Sequence, residues 1–253
     1  MTILLTPPRR SPVHDAIEAG HRPAWRDLAR MPVALHLGDP DAEPPAARRL
    51  ALCDMSALPR VTLKGPAALA LLGEQGIGVP DAVLGAAPLG GRGVVARTGS
   101  AEFFIEDGPR GDHVARVRTL TGAFGHDRPG VHPAARADAS LFLSGANAGD
   151  VLEQTCGYNF RHRDPATLVF TRVAGVSCSI LPRTLNAIDL FQLWADGTYG
   201  QYLWETLLDI LSESGGRAVG ALCYFPELSH DDGGPGHRRG SAGLAGEPPP
   251  GPP

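Results

Sequence analysis

Val61-Thr62-Leu63-Lys64-Gly65-Pro66-Ala67-Ala68-Leu69-Ala70-Leu71-Leu72 returns eighty residues later as Leu141-Phe142-Leu143-Ser144-Gly145-Ala146-Asn147-Ala148-Gly149-Asp150-Val151-Leu152. Each copy reads as a short apolar strand, a glycine turn and a helix start, with an apolar residue seven positions after the glycine. The segments downstream of each copy echo one another too. Gly93-Val94-Val95-Ala96-Arg97 leads to Ala101-Glu102-Phe103-Phe104-Ile105-Glu106, and Gly175-Val176-Ser177-Cys178-Ser179-Ile180 leads to Ile188-Asp189-Leu190-Phe191-Gln192-Leu193-Trp194. Each pair reads as a hairpin. Two strand-helix-hairpin units predict one pseudo-symmetric α+β domain rather than two unrelated ones.

Outward from the repeat, Leu50-Ala51-Leu52-Cys53-Asp54-Met55-Ser56 reads as a strand ending in a polar turn, so the domain is expected to span 49–228. Residues 73–92 read as a Gly-, Ala- and Pro-rich connector. Residues 110–121 read as a helix with Val114, Val117 and Leu120 at spacings of three, and 122–138 as a loop. From about Tyr199 to Glu213, capped by Thr198 or Asp196, a helix carries Tyr199, Tyr202, Leu203, Thr206, Leu207, Ile210 and Leu211 on one face, widened by Trp204 and Leu208. Gly215-Gly216 stops it, and Ala218–Phe225 reads as a last strand. Residues 1–48, rich in Pro and Arg, read as an N-terminal arm wrapping a partner or its own domain, or as a simple extension. Within it Ser11-Pro12 can open a helix. In 229–253, 13 of 25 residues are Gly or Pro, too little apolar surface to offset ordering entropy, so a disordered tail is expected.

Composition bounds the function. A chain of 253 residues with 43% hydrophobic residues can bury a core without staples. A net charge of −4 does not point to nucleic acid, which calls for a basic face, though it leaves room for a local basic patch. No apolar run reaches the ~20 residues of a membrane helix, and the first ten residues do not make a signal peptide. Cys53, Cys156, Cys178 and Cys223 form no C-x-x-C pair. Cys53, Cys178 and Cys223 lie in apolar runs and read as small buried hydrophobes, and reduced thiols fit a cytoplasmic protein.

Asp54 and Ser56 can hold a substrate amine, act as a base, or simply close a turn through side-chain to backbone bonds, the reading preferred here. His126, His132 and His162 have no metal-ligand spacing. Arg161-His162-Arg163-Asp164 can hold an anion or be a solvated loop. Gly90-Gly91-Arg92-Gly93 lacks the spacing of a phosphate loop and reads as a turn into the first hairpin. Glu102, Glu106 and Asp107 read as edge or turn charges. Arg183 falls between the two strands of the second hairpin, in Leu181-Pro182-Arg183-Thr184-Leu185-Asn186, where the first hairpin carries Arg97-Thr98-Gly99, and can meet a carboxylate ligand or a backbone carbonyl across the domain.

The run Leu52-Cys53-Asp54-Met55-Ser56 through Arg60-Val61-Thr62-Leu63-Lys64-Gly65-Pro66 resembles the opening of the folate-binding aminomethyltransferase fold, that of the glycine-cleavage T-protein. Thr171 to Val176, Arg183-Thr184 and Leu203-Trp204-Glu205-Thr206-Leu207-Leu208 resemble its later segment. Within that superfamily the phrasing, above all Thr198-Tyr199-Gly200-Gln201-Tyr202-Leu203-Trp204-Glu205, is most similar to the gamma subunits of heterotetrameric sarcosine oxidases. The resemblance covers about 50–225. It implies an aminomethyltransferase-like fold and a non-catalytic subunit in the oxidative demethylation of sarcosine, part of one-carbon metabolism. It also implies alpha, beta and delta partner subunits. FAD, FMN, NAD, zinc and tetrahydrofolate then belong to those partners, and no metal to this chain.

The family's acidic phrase after Arg-Thr departs here. Arg183-Thr184 is followed by Leu185-Asn186-Ala187-Ile188-Asp189-Leu190-Phe191-Gln192, with Gln192 where a carboxylate is expected. A folate-like pocket, if kept, would use Arg183, Asp189, Gln192 and Asp54. The alternatives are a stand-alone tetrahydrofolate-dependent aminomethyltransferase using those residues, or the same subunit in a complex acting on another N-methyl amino acid.

Overall fold

The computed structural model describes residues 9–121, 129–162, 164 and 166–229. The chain runs through α1 (His14–Gly20), β1 (Ala24–Leu28), β2 (Met31–His36), α2 (Glu43–Arg49) and β3 (Ala51–Asp54). The first repeat comes next: β4 (Arg60–Lys64), α3 (Ala68–Glu74), β5 (Ala86–Leu89), β6 (Gly93–Gly99), β7 (Glu102–Glu106) and α4 (Asp112–Thr121). The second comprises β8 (His132–Ala134), β9 (Asp138–Ser144), α5 (Ala148–Thr155), β10 (Val169–Val173), β11 (Val176–Leu185), β12 (Ile188–Asp196) and α6 (Gly200–Glu213). Short β13 (Arg217–Ala218) comes last.

The repeat survives into the sheets. One sheet has the order β5-β6-β7-β4-β8 and the other β10-β11-β12-β9-β3-β13, so strands match place for place. The leading strands are exchanged: β3 precedes β4 yet pairs with β9, and β8 precedes β9 yet pairs with β4. The glycine turns explain why. Gly65 and Gly145 have φ of +117° and +96°, a region that costs little without a Cβ. A Cβ on Gly145 would lie 2.5 Å from the Arg49 carbonyl carbon, and one on Gly65 would press on the Gly130 carbonyl. Behind them, Ala67 N–H donates to Gly130 C=O at 3.0 Å and Asn147 N–H to Arg49 C=O at 3.0 Å. Gly130 and Arg49 lead into the exchanged strands. Each turn therefore grips the strand borrowed from the other half.

Four layers result, with each sheet carrying helices on its outer face. Val61, Leu63, Phe103 and Ile105 pack under Leu71, Leu72, Val114 and Val117 of α3 and α4. Leu141, Leu143, Ile180 and Leu193 pack under Val151, Leu152 and α6. The inner faces meet through Ala96 and Phe104 on one side and Leu181 and Trp194 on the other, with Phe104 edge-on to Trp194 at 5.2 Å. The stripe α6 buries is Gly200, Leu203, Trp204, Leu207 and Leu211, each large residue contributing about 1.5–3 kcal/mol. Tyr199 and Tyr202, expected on that face, are 56% and 53% exposed. Asp196 caps the preceding turn through Thr198 N–H at 2.8 Å.

Three elements differ from the sequence reading. The connector 73–92 holds strand β5, and the loop 122–138 holds strand β8; its residues 122–128, with His126 and Arg128, lie outside the described residues. The Ala218–Phe225 strand shrinks to β13, succeeded by a 3-10 turn at Ala221–Cys223. Gly220, between the two, packs against the Leu35 backbone, where a Cβ would clash with the Leu35 carbonyl carbon. Residues 9–48 lie against the rest of the chain, with Val13, Ile17, Ala34 and Leu37 in the core. Glu43 ties this segment to the last one, accepting from Leu37 N–H at 2.7 Å and Gly220 N–H at 2.9 Å. The expected tail lies outside the described residues from 230 onward.

Candidate functional site

A buried polar chain runs through the contact between the two sheets. Arg60 on β4 stands opposite Glu106 on β7 in register, so both point inward. Glu106 is 0% exposed, not the edge charge the sequence suggested. Its Oε2 accepts from Trp194 Nε1 at 2.8 Å and lies 3.1 Å from Arg60 Nε, an ion pair misaligned for a hydrogen bond. Its Oε1 accepts from Gln192 Nε2. That amide also donates to Ser140 Oγ at 3.0 Å, while its oxygen accepts from Arg183 Nη1 at 2.5 Å. Arg183 Nη2 continues to the carbonyls of Arg92 and Gly93 at 2.7 and 3.2 Å.

Arg183 lies within β11 and not between the hairpin strands, because the strand runs on to Leu185, and it meets Gln192 through the hairpin register. Leu181 faces Gln192 across β11 and β12, which places Arg183 on the same face as its diagonal neighbour. Of the two contacts expected for Arg183, the carbonyls across the domain are the ones formed. Burial pushes its guanidinium down from the ordinary value, with the charge of Glu106 pulling it back up. Arg97, at the equivalent place near the end of the first hairpin, closes its own loop instead, donating to Asp81, Gly99 and Ser100 carbonyls at 2.8–3.3 Å.

Asp189 and Asp54 do not join this group. Asp189 is exposed and accepts from Thr184 Oγ1 at 2.6 Å. Asp54 is buried at the end of β3, accepting from Ser11 Oγ at 2.5 Å, Ser56 N–H at 3.0 Å and Ser56 Oγ at 2.6 Å. Burial pushes its carboxyl up, against the hydrogen bonds of Ser11 and Ser56 and the charge of Arg60. Asp-x-Ser thus closes a turn, and Ser11 locks the N-terminal segment onto it. Beside Arg183 lies a mostly apolar pocket of about 290 Å³, walled by Ala86, Pro88, Val94, Leu181 and Leu185, just under the usual range for small-molecule sites.

The other candidates resolve into structural roles. Gly90 and Gly91, at φ of +57° and +76°, turn β5 into β6. Arg161 pairs with Glu153; Arg163 and the His162 side chain lie outside the described residues. Asp107 accepts from His113 and Val114 N–H and so caps α4. All four cysteines are free and buried. Burial pushes the thiols of Cys178 and Cys223 up to about 12 and that of Cys53 well up, which suits packing and not thiolate chemistry. One group with metal-ligand atoms within 4.8 Å of one another, His14, Asp15 and Glu18, escaped the sequence reading. There His14 is buried and stacked on Trp25 at 4.4 Å, and Asp15 is held by Arg10.

No family model matches the chain, and no curated protein matches it. Solved structures do. The glycine cleavage system aminomethyltransferase T from Bartonella henselae superposes with a TM-score of 0.64 at 15% identity, over 86% of this chain and 61% of that one. A chain of the heterotetrameric sarcosine oxidase from Corynebacterium sp. U-96, solved in complex with pyrrole 2-carboxylate, superposes with a TM-score of 0.59 at 21% identity, over 81% of this chain and 95% of that one. The fold is therefore the aminomethyltransferase-like folate-binding fold, and this chain spans about 61% of the length of the aminomethyltransferase. Among the described residues no helix is long and apolar enough to cross a membrane.

Proposed function

We propose that this chain is the gamma-type structural subunit of a heterotetrameric sarcosine oxidase, a cytoplasmic flavoenzyme complex that oxidatively demethylates sarcosine or a similar N-methyl amino acid. The observation that carries this reading is the closed polar chain between the sheets. Gln192 stands where the family's acidic phrase would supply a carboxylate, and it is held from both sides by Arg183 and Glu106. Asp189 and Asp54, the other carboxylates expected of such a pocket, are engaged elsewhere by Thr184, Ser11 and Ser56. On this reading alpha, beta and delta subunits carry the flavins, NAD, zinc and the folate site, and this chain supplies contact surface. Co-expression with the flavoprotein alpha and beta subunits tests it. The chain is expected to co-purify with them and to have no turnover alone; a clean monomer beside the assembled flavoproteins would sink the proposal.

The pocket beside Arg183 favours a second reading, a stand-alone tetrahydrofolate-dependent aminomethyltransferase. Calorimetric titration of the isolated chain with tetrahydrofolate separates the two, since only this second reading expects heat at high micromolar ligand.

A further inference from the structure

We propose that a second, polar pocket, where the N-terminal segment meets the start of β4 and the middle of α4, is an anion site that takes a phosphate group. Its walls include Arg9, Arg60, Arg118, Arg136 and Asp138, together with Ser56. Two of these four guanidiniums are neutralised. Arg60 pairs with Glu106, donates to the Asp138 carbonyl at 2.9 Å, and gives both Nη2 hydrogens to the carbonyls of Met55 and Ser56. Arg136 grips Asp138 with Nε and with Nη2 at 3.0 Å. The other two have no such partner. Arg118 donates Nη2 to the Arg60 carbonyl at 2.8 Å. Among the described residues neither it nor Arg9 has a carboxylate within ion-pair distance.

Two uncompensated cations facing one pocket repel each other. That repulsion, with burial as the larger effect, moves the Arg118 guanidinium down from its ordinary value. A dianion between them would reverse the sign of the interaction and engage guanidinium forks suited to bidentate phosphate contact. The space agrees. The pocket holds about 40 Å³, room for roughly three waters at ~10–15 Å³ each and so for one phosphoryl group, but not for a larger polyanion. The phosphate can be free or borne by a small monoester that projects from the open side. Arg9 enters through the segment whose backbone N–H bonds the Arg30 carbonyl at 3.1 Å, so occupancy would clamp the N-terminal segment to α4.

Calorimetry on the full chain, at constant ionic strength in chloride, tests this with inorganic phosphate and with glycerol phosphate as probes. Saturable binding of at least one is expected. Arg118→Gln and Arg9→Gln should each weaken it about tenfold or more, the loss of one charge-assisted contact. Arg116→Gln, on the same helix but outside the pocket, should leave it unchanged. Binding of glycerol phosphate alone supports a site that needs the organic carrier; equal binding of both supports a free-anion site. No saturable binding of either probe, or binding that survives both Arg118→Gln and Arg9→Gln, overturns the proposal.

Discussion

Two carboxylates on β7 make a matched experiment. Glu102 and Glu106 each stand opposite a cation on β4, Lys64 and Arg60 respectively. Their ion-pair distances are nearly equal, 3.2 and 3.1 Å. Only their surroundings differ: the Lys64 and Glu102 side chains are 53% and 36% exposed, and those of Arg60 and Glu106 are 4% and 0% exposed. Glu102→Gln should cost about 0–1 kcal/mol, the usual worth of an exposed pair. Glu106→Gln should cost about 3–5 kcal/mol, because it leaves a buried guanidinium without its counter-charge. The amide cannot rescue the site. In one orientation its NH₂ meets the Gln192 NH₂; in the other it meets Trp194 Nε1 and Arg60 Nε. Flipping Gln192 only passes the conflict on to Arg183. For a chain of this size the larger loss lowers Tm by about 6–20 °C. Thermal and urea unfolding of both variants, monitored by tryptophan fluorescence with Trp194 as a reporter in the network, measures the contrast. Equal, small losses in the two variants would refute the claim that this network holds the sheets together.

Three further outcomes are expected. Gly145→Ala, which must displace the Arg49 backbone, should cost well over the ~1 kcal/mol of a left-handed alanine, whereas Gly175→Ala, at φ +84° with nothing within 4 Å, should cost about that amount; urea midpoints of the two variants compare them. Because the folded carboxyl of Asp54 is raised above its unfolded value, its contribution is fully present below the unfolded pKa of ~3.9 and is lost as pH rises through the folded pKa. The stability of wild type relative to Asp54→Asn should therefore fall as pH is raised from about 3.5, a trend that urea titrations at stepped pH would reveal or exclude. Ellman's reagent should label no thiol quickly in the native chain and all four after unfolding, and fast native labelling would contradict the burial of the cysteines.

The repeated phrase was legible because its glycines carry the geometry. A left-handed turn between an apolar strand and a helix is a local demand, and both copies meet it with glycine. Three of the strands that escaped notice share a different property. β2, β5 and β8 contain Pro32, Pro88 and Pro133, and each lies at the edge of its sheet. Proline removes a ladder donor and is favoured at such edges, so composition marks these segments as loops. The β1–β2 turn is hidden in the same way, since Ala29 and Arg30 take positive φ of 50° and 69° where Asn-Gly would have announced a hairpin. The exchange of β3 and β8 has no local signature at all. Around the candidate site, the pairing of Arg183 with Gln192 is a matter of hairpin register. Glu106 is not, because only the stacking of two sheets formed eighty residues apart decides that it faces inward.

That stacking also bears on what the site is for. A pocket built to receive a charged ligand keeps donors and acceptors unpaired, or wet, until the ligand arrives, and so sacrifices stability in its empty state. Here the polarity of the buried chain is fixed at both ends by cations: Arg60 through an ion pair to Glu106, and Arg183 through a hydrogen bond to Gln192, with Gln192 donating to Glu106 between them. The amide of Gln192 makes this possible: it accepts from Arg183 while donating to Glu106 and Ser140, whereas a carboxylate there could accept only. Gln192 is thus an internal tie between the two halves. A protein that holds its shape gains from such a tie, and one that must open the same site to a charged ligand loses by it.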